Sequence, residues 1–341
     1  MLGTFAKKII HLSLYLSISF LFVACSVEDF TGERMDNSPV VVAVFPPDAL
    51  GDLGYNDGIY LGVQTVCNEL GLRSVTVEPL SYEAGAEYLK DNLTSGTTAD
   101  TPRLFLVVAD AGYDDFIERY GDVVPDDEMT KVVFIGKRRA GAKGHALYLP
   151  MYGAMWEAGR LARAMDDVRD VVVVTADDAM PVLAEARQGF TDGYGTDDGR
   201  KVVTYSLDNE TAGFNMADAL YAYSFSVAEE CQMVVPLCGG SSQGFYRYNR
   251  EHPSSFYTVG IDADMERYSS RVPFSCVKRM DKAVAELVRQ WRGGELPRVQ
   301  SWGLASGYVD VVVSSRYAGR LDAVKASLHD EAIGKEAAYE E

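Results

Sequence analysis

Hydrophobic positions along this chain alternate between two patterns. Short, nearly unbroken apolar runs occur at Val40–Phe45, Arg103–Asp110, Lys131–Gly136, Val171–Thr175 and Gln232–Cys238. Runs of this length and content are what strands buried on both faces of a parallel sheet require. Between them, apolar residues recur at helical spacing, as at Ile59, Val63, Val66 and Leu70. The same period predicts helices over Tyr82–Leu93, from Tyr113, and over Tyr152–Met165, Val182–Tyr194, Glu210–Ala228 and Asp281–Trp291. Further strands are expected at Ser74–Pro79, Ala146–Pro150, Lys201–Leu207, Phe256–Asp262, Pro273–Lys278, Val299–Leu304 and Tyr308–Val313. Strands alternating with helices in this way predict an α/β fold of mainly parallel sheets covered by helices, in two halves that meet near Pro150. The charged end of the chain, from about Lys335, is expected to fray.

The first unit carries the densest polar loop. After Val40–Phe45 comes "PPDALGDLGYNDGIYLG" (Pro46–Gly62), in which Asn56 and Asp57 stand where a helix N-cap belongs and Gly51 and Gly54 permit unusual backbone angles. A capped turn and a ligand loop are equally compatible with that composition. The carboxyl ends of parallel strands are, however, where open α/β sheets bind ligands. Polar residues recur there: Asp52, Tyr55 and Asn56 after the first strand, Asp110 after the third, Asp262 and Asp264 after "TVGI", and Lys278 ending "FSCVK". Each alone is most simply a cap or a surface ion-pair partner; together they predict one cleft. Carboxylates and an amide accept from hydroxyls, an ammonium donates to them, and Tyr55 offers a flat face.

Composition narrows the partners. The 341 residues are 47% hydrophobic, enough for about two domains, and 32 Lys and Arg stand against 50 Asp and Glu. A formal charge of −18 repels nucleic acid phosphates, so no nucleic acid partner is expected. At the N-terminus, Lys7 and Lys8 precede an apolar run, Ile9–Ala24, that ends in small residues before Cys25; residues 1–24 therefore predict a signal peptide. "FVAC" (Phe22–Cys25) resembles a bacterial lipoprotein box, which implies cleavage before Cys25, lipidation of its thiol and anchoring in the cell envelope, with 25–38 as a polar tether. Ser26, Glu28 and Asp29 are similar to signals that route such proteins to the outer membrane or cell surface. Cys231 and Cys238 flank a strand and stand too far apart to bridge. With Cys67 and Cys276 on apolar faces, all four are expected as buried thiols, and no zinc spacing or cofactor motif is present.

"GDLGYNDGIYLGVQTVCNELG" resembles the signature of the basic membrane protein family, the PnrA-like nucleoside-binding lipoproteins of ABC transporters. The order of later segments is similar too: "MYGAMWEAGRLA", "AEARQGFTDGY", "LCGGSSQG", "VGIDAD", "CVKRMDKAV" and "SWGLASGYVDV", covering about Val40 to Val312. The resemblance implies a two-lobed, type I periplasmic-binding-protein-like clamp. Lobe one would hold 39–149 plus about 279–304, lobe two 150–277 plus about 305–328, and 329–341 would be a charged tail. It also implies reversible binding of a small hydroxylated ligand, a nucleoside, by a monomer that serves an ABC permease. Tyr55 would stack on a base, Asn56 and Asp110 would bond the ligand, Gly240 would let the backbone approach, and Asp262 and Lys278 would grip ribose hydroxyls. Leu207 occupies the place expected for a second stacking aromatic. An orphan surface receptor without a transporter fits the same residues. One rival class is enzymatic: Gly240, Ser242 and Gly244 match the G-x-S-x-G nucleophile elbow. That reading needs a histidine, and His252 and His329, the two downstream, do not follow a late core strand as the triad requires.

Overall fold

The computed structural model of the protein describes residues 38–94, 101–110, 112–207 and 214–340. The expected signal peptide, Cys25 and nearly all of the tether lie outside the described residues, as does the start of the helix expected from Glu210. A first sheet is built on Val40–Val44 (β1), every residue of which is buried. Its partners are Arg73–Val77 (β2), Arg103–Val108 (β3), Thr130–Ile135 (β4), His145–Tyr148 (β5) and, from late in the chain, Val299–Ser301. The order places β1 between β2 and β3, with β4, β5 and the late strand following on the β3 side, and every pairing is parallel. Alternation explains why β1 is apolar throughout. Val41 and Ala43 pack with Ile59, Val63 and Val66 of helix Tyr55–Leu70 (α1), whereas Val40, Val42 and Val44 pack with Leu89 and Leu93 of helix Tyr82–Leu93 (α2) and Phe116 of helix Asp114–Tyr120 (α3).

The chain then enters helix Tyr152–Arg163 (α4) and a second parallel sheet. Asp170–Thr175 (β6) lies between Lys201–Ser206 (β7) and Met233–Leu237 (β8), with Tyr257–Thr258 (β9) at the far side of β8. Val171 and Val173 face one core, Val172 and Val174 the other. Helix Pro181–Tyr194 (α5) crosses α4 at very short range: a Cβ on Gly189 or Gly193 would collide with the backbone of Tyr152 or Trp156. Helices Ala217–Glu230 (α6) and Gln243–Glu251 (α7) complete this half.

One apolar run, Phe256–Asp262, changes sheets partway. Tyr257 and Thr258 pair with β8, and after Val259 the strand Gly260–Asp262 (β10) pairs in parallel with Phe274–Lys278 (β11). Val309–Val313 (β12) runs antiparallel on the other side of β11. Between them helix Met280–Gly293 (α8) returns to pack its buried face, including Ala283, Val284 and Leu287, in the same core as α1. The four cysteines described are free and buried, as expected. The end of the chain departs from expectation: helix Ala318–Glu340 (α9) is continuous. It holds because Glu336 is buried and accepts from the Leu304 N–H at 2.8 Å, while Tyr339 stacks on Tyr152 with ring centroids 4.1 Å apart. Among the described residues no helix is long and apolar enough to cross a membrane.

Candidate functional site

The carboxyl ends of β1, β3, β6, β8, β10 and β11 converge on a cavity of about 260 Å³. Asp52, Tyr55, Asn56, Asp110, Gly240, Asp262 and Lys278, seven of the residues singled out from the sequence, all line it. Two others do not. Leu207 is the last residue of its strand's ladder, its N–H bonded to the Thr175 carbonyl, and its side chain packs with the core on one face of the second sheet rather than lining the cavity. Asp264 turns away to accept from the Glu266 N–H at 3.0 Å. The aromatic that does reach the cavity from the second half is Phe214, just beyond the undescribed residues 208–213.

The first turn of α1 is capped by Asp52 rather than by Asn56 or Asp57. α1 begins at Tyr55, and the Asp52 carboxylate accepts from the N–H groups of Gly54 at 2.9 Å, Asn56 at 2.8 Å and Asp57 at 3.2 Å, and from Asn56 Nδ2 at 2.9 Å. Four donors converging on one carboxylate satisfy most of the helix's first-turn N–H groups. Asp57 in turn accepts from Gly51 and Leu53. Because Asn56 commits its Nδ2 to Asp52, its Oδ1 is left as a buried acceptor with no partner. Asp110 Oδ2 is buried and unpartnered in the same way.

Around one ammonium the cavity gathers three carboxyls. Lys278 Nζ lies 3.8 Å from Asp262 Oδ1 and 4.8 Å from the centre of the Tyr55 ring. Burial pushes the Asp262 carboxyl up to about 6; Lys278 pulls it down, but Asp52 and Asp110 raise it further. Asp110 is also raised by burial, against the opposing pull of Lys278 and of the Tyr55 hydroxyl bonded to it. Asp52 is raised by burial in spite of its backbone donors. Asp262 sits at φ +65°, a left-handed conformation that Asp adopts more readily than most residues. The polar wall is thus rich in acceptors, with Lys278 as its ammonium donor. The same lining includes apolar residues of the second half, Met180, Val182, Leu183, Ala186 and Phe214. Such a site can hold a molecule with several O–H or N–H donors on one side and an apolar surface on the other.

The elbow-like loop is differently engaged. Ser242 is buried, its Oγ donating to the Pro236 carbonyl at 3.0 Å and lying 3.5 Å from Cys238 Sγ. Ser241 Oγ accepts from the Met216 N–H. His252 bonds the Tyr248 carbonyl, His145 bonds Pro297 and Asp126, and His329 faces Glu157, so among the described residues no histidine is bonded to Ser242.

Solved structures resemble this architecture across most of its length. A solute-binding protein of an ABC transporter system from Aeropyrum pernix K1 is 18% identical, with TM-score 0.65 over 87% of this chain and 85% of that one. A transcriptional activator of the comK gene from Bacillus halodurans is 16% identical, with TM-score 0.63 over 85% and 97%. An ABC transporter solute-binding protein from Burkholderia graminis C4D1M, solved in complex with D-arabinose, is 13% identical, with TM-score 0.60 over 83% and 98%. The chain therefore has the α/β fold of type I periplasmic binding proteins, two parallel-sheet lobes flanked by helices. At these identities the likeness is one of fold. No protein-family model matches the sequence, and no curated protein does.

Proposed function

We propose that this protein is a substrate-binding lipoprotein, anchored outside the cytoplasm through Cys25, that closes reversibly on a small hydroxylated ligand and presents it to an ABC-type permease. A nucleoside is the ligand class we favour. The observation that carries this reading is the mixed lining of the cavity: Asn56, Asp110, Asp262 and Lys278 together with Met180, Val182 and Phe214. A nucleoside has that polarity built in, with hydroxyls on the sugar and a flat face on the base. Asp262 and Lys278 would hold ribose hydroxyls, Asn56 and Asp110 would accept donors, and Phe214 would cover the ring that Leu207 does not reach. Residues 39–149 with about 279–304, and 150–277 with about 305–328, would move as the two jaws of a monomeric clamp. Ligand contacts made only when the jaws meet would shift the population to the closed form.

A sugar is the second reading, favoured by the D-arabinose held by the Burkholderia graminis neighbour. Thermal-shift screening with nucleosides and pentoses, followed by calorimetry, separates the two. Stabilisation by at least one nucleoside, lost in Lys278→Ala, is expected. Stabilisation by pentoses and by no nucleoside would overturn the nucleoside assignment; unchanged affinity in Lys278→Ala would overturn the site.

A further inference from the structure

The inner cavity is closed on one side and open on another. At residues 51–54 the two lobes already touch: Gln243 Nε2 donates to the Gly51 carbonyl at 2.9 Å, and a Cβ on Gly240 would lie 3.7 Å from that of Asp52. At Tyr82, Asp110 and Met180 the cavity adjoins a groove of about 870 Å³ between α2, α3 and residues 179–181 of the second lobe; these three residues line both spaces. The junction is held in shape. A Cβ on Gly112 would collide with the Tyr82 ring, which also packs edge-on against Tyr113 at 5.4 Å, so the ring has little freedom to swing across the opening. Asp110 lines both spaces, and its buried Oδ2 has no partner.

The groove's chemistry limits what enters it. Its lining carries Glu83, Glu87, Asp110, Asp114 and Asp115 against Lys90, Arg119 and Lys137. Lys137 is already paired with Asp114 at 2.6 Å and Arg119 faces Asp115 at 3.9 Å. An excess of carboxylates, with two of the three bases engaged, disfavours a phosphate and leaves acceptors for hydroxyls.

We propose that the ligand is longer than the inner cavity: that it carries an uncharged, hydroxyl-bearing extension which passes the Tyr82, Asp110 and Met180 junction and lies in the α2/α3 groove. This rests on the reading of the inner cavity as a nucleoside site and adds a second subsite to it. The probes are adenosine, two derivatives bearing a dihydroxypropyl chain on either the exocyclic amine or the 5′ oxygen, and the terminal phosphate ester of whichever derivative binds. Each is titrated by calorimetry into the full-length protein and into Ala179→Trp and Glu87→Trp, exposed positions on opposite walls of the groove.

One derivative is expected to bind within about threefold of adenosine, and its phosphate ester at least about tenfold more weakly. Both tryptophan variants should weaken that derivative by about tenfold or more while leaving adenosine within about twofold. A loss beyond about thirtyfold for both derivatives, with adenosine binding intact, would overturn the extension and spare the nucleoside reading. Equal effects of the tryptophans on adenosine and derivative would also overturn it. Silence from adenosine, both derivatives and every other nucleoside of the thermal-shift screen would remove the two readings together.

Discussion

Asp262→Asn separates what the cavity costs from what it does. The Asp262 side chain is 17% exposed, and burial with two neighbouring carboxyls holds it at about 6 rather than its ordinary 3.8. A raised carboxyl binds its proton more tightly in the folded state than in the unfolded one, so stability falls as pH rises from about 4 to about 6 and stays reduced above that. That displacement corresponds to about 3 kcal/mol against the folded, empty protein at neutral pH, a figure that already contains the attraction of Lys278. Asparagine keeps the shape, tolerates the left-handed φ of +65° and carries no charge. The variant is expected to be more stable than the parent in urea at pH 7.5 by up to about 3 kcal/mol, with the gap closing toward pH 4. Ligand affinity should move the opposite way, falling by about 1.5–3 kcal/mol as a charge-assisted acceptor becomes a neutral one. A variant less stable than the parent at pH 7.5, or a gap that does not change with pH, would refute the account of Asp262 as a carboxylate held against its own solvation.

Other perturbations test the remaining contacts. Gly136→Ala should dislodge Asp110, because φ is +89° there and a Cβ would collide with the Asp110 carboxyl; a loss of about 1–3 kcal/mol in stability and a clear drop in ligand affinity are expected from denaturation and calorimetry. Phe214→Ala should weaken ligand binding by about 0.5–1.5 kcal/mol or more, whereas Leu207→Ala should lower stability and leave affinity unchanged. Ser242→Ala should cost about 1 kcal/mol for the lost bond to Pro236 and leave ligand affinity as it was; ester turnover abolished by this change would instead revive the hydrolase reading. Ending the chain after Lys335 removes Glu336, Tyr339 and Glu340, leaves the Leu304 N–H without its acceptor, and should destabilise the protein by about 2–4 kcal/mol in urea.

What could be read in advance depended on whether a residue's role follows from its own strand or from a distant partner. Val40–Val44 announces a strand covered on both faces because every side chain in it is apolar, and the structure gives each face its own core. Asp110, Asp262 and Lys278 were legible for a related reason: the carboxyl ends of parallel strands are where an open α/β sheet forms its ligand crevice, and all three line the cavity there. Leu207 looked equivalent, but its N–H still belongs to the sheet ladder, and the alternation along β7 turns its side chain toward Val172 and Val174. Phe214 reaches the cavity instead: the period places it inside a helix over Glu210–Ala228, but α6 begins only at Ala217 and leaves Phe214 ahead of it. The same limit applies at both ends of the described chain. Among the polar residues around the start of α1, composition alone names Asn56 and Asp57 as caps as readily as Asp52; the choice is made by how the loop folds back. At the other end, Lys335 onward reads as a solvated tail until Leu304, 32 residues earlier than Glu336, supplies the N–H that holds it down. Periodicity states which way a side chain points, and only the tertiary partner states what it meets there. Ser242 is the sharpest instance: its motif and its place between strand and helix are both as an elbow requires, yet its hydroxyl is turned inward onto Pro236.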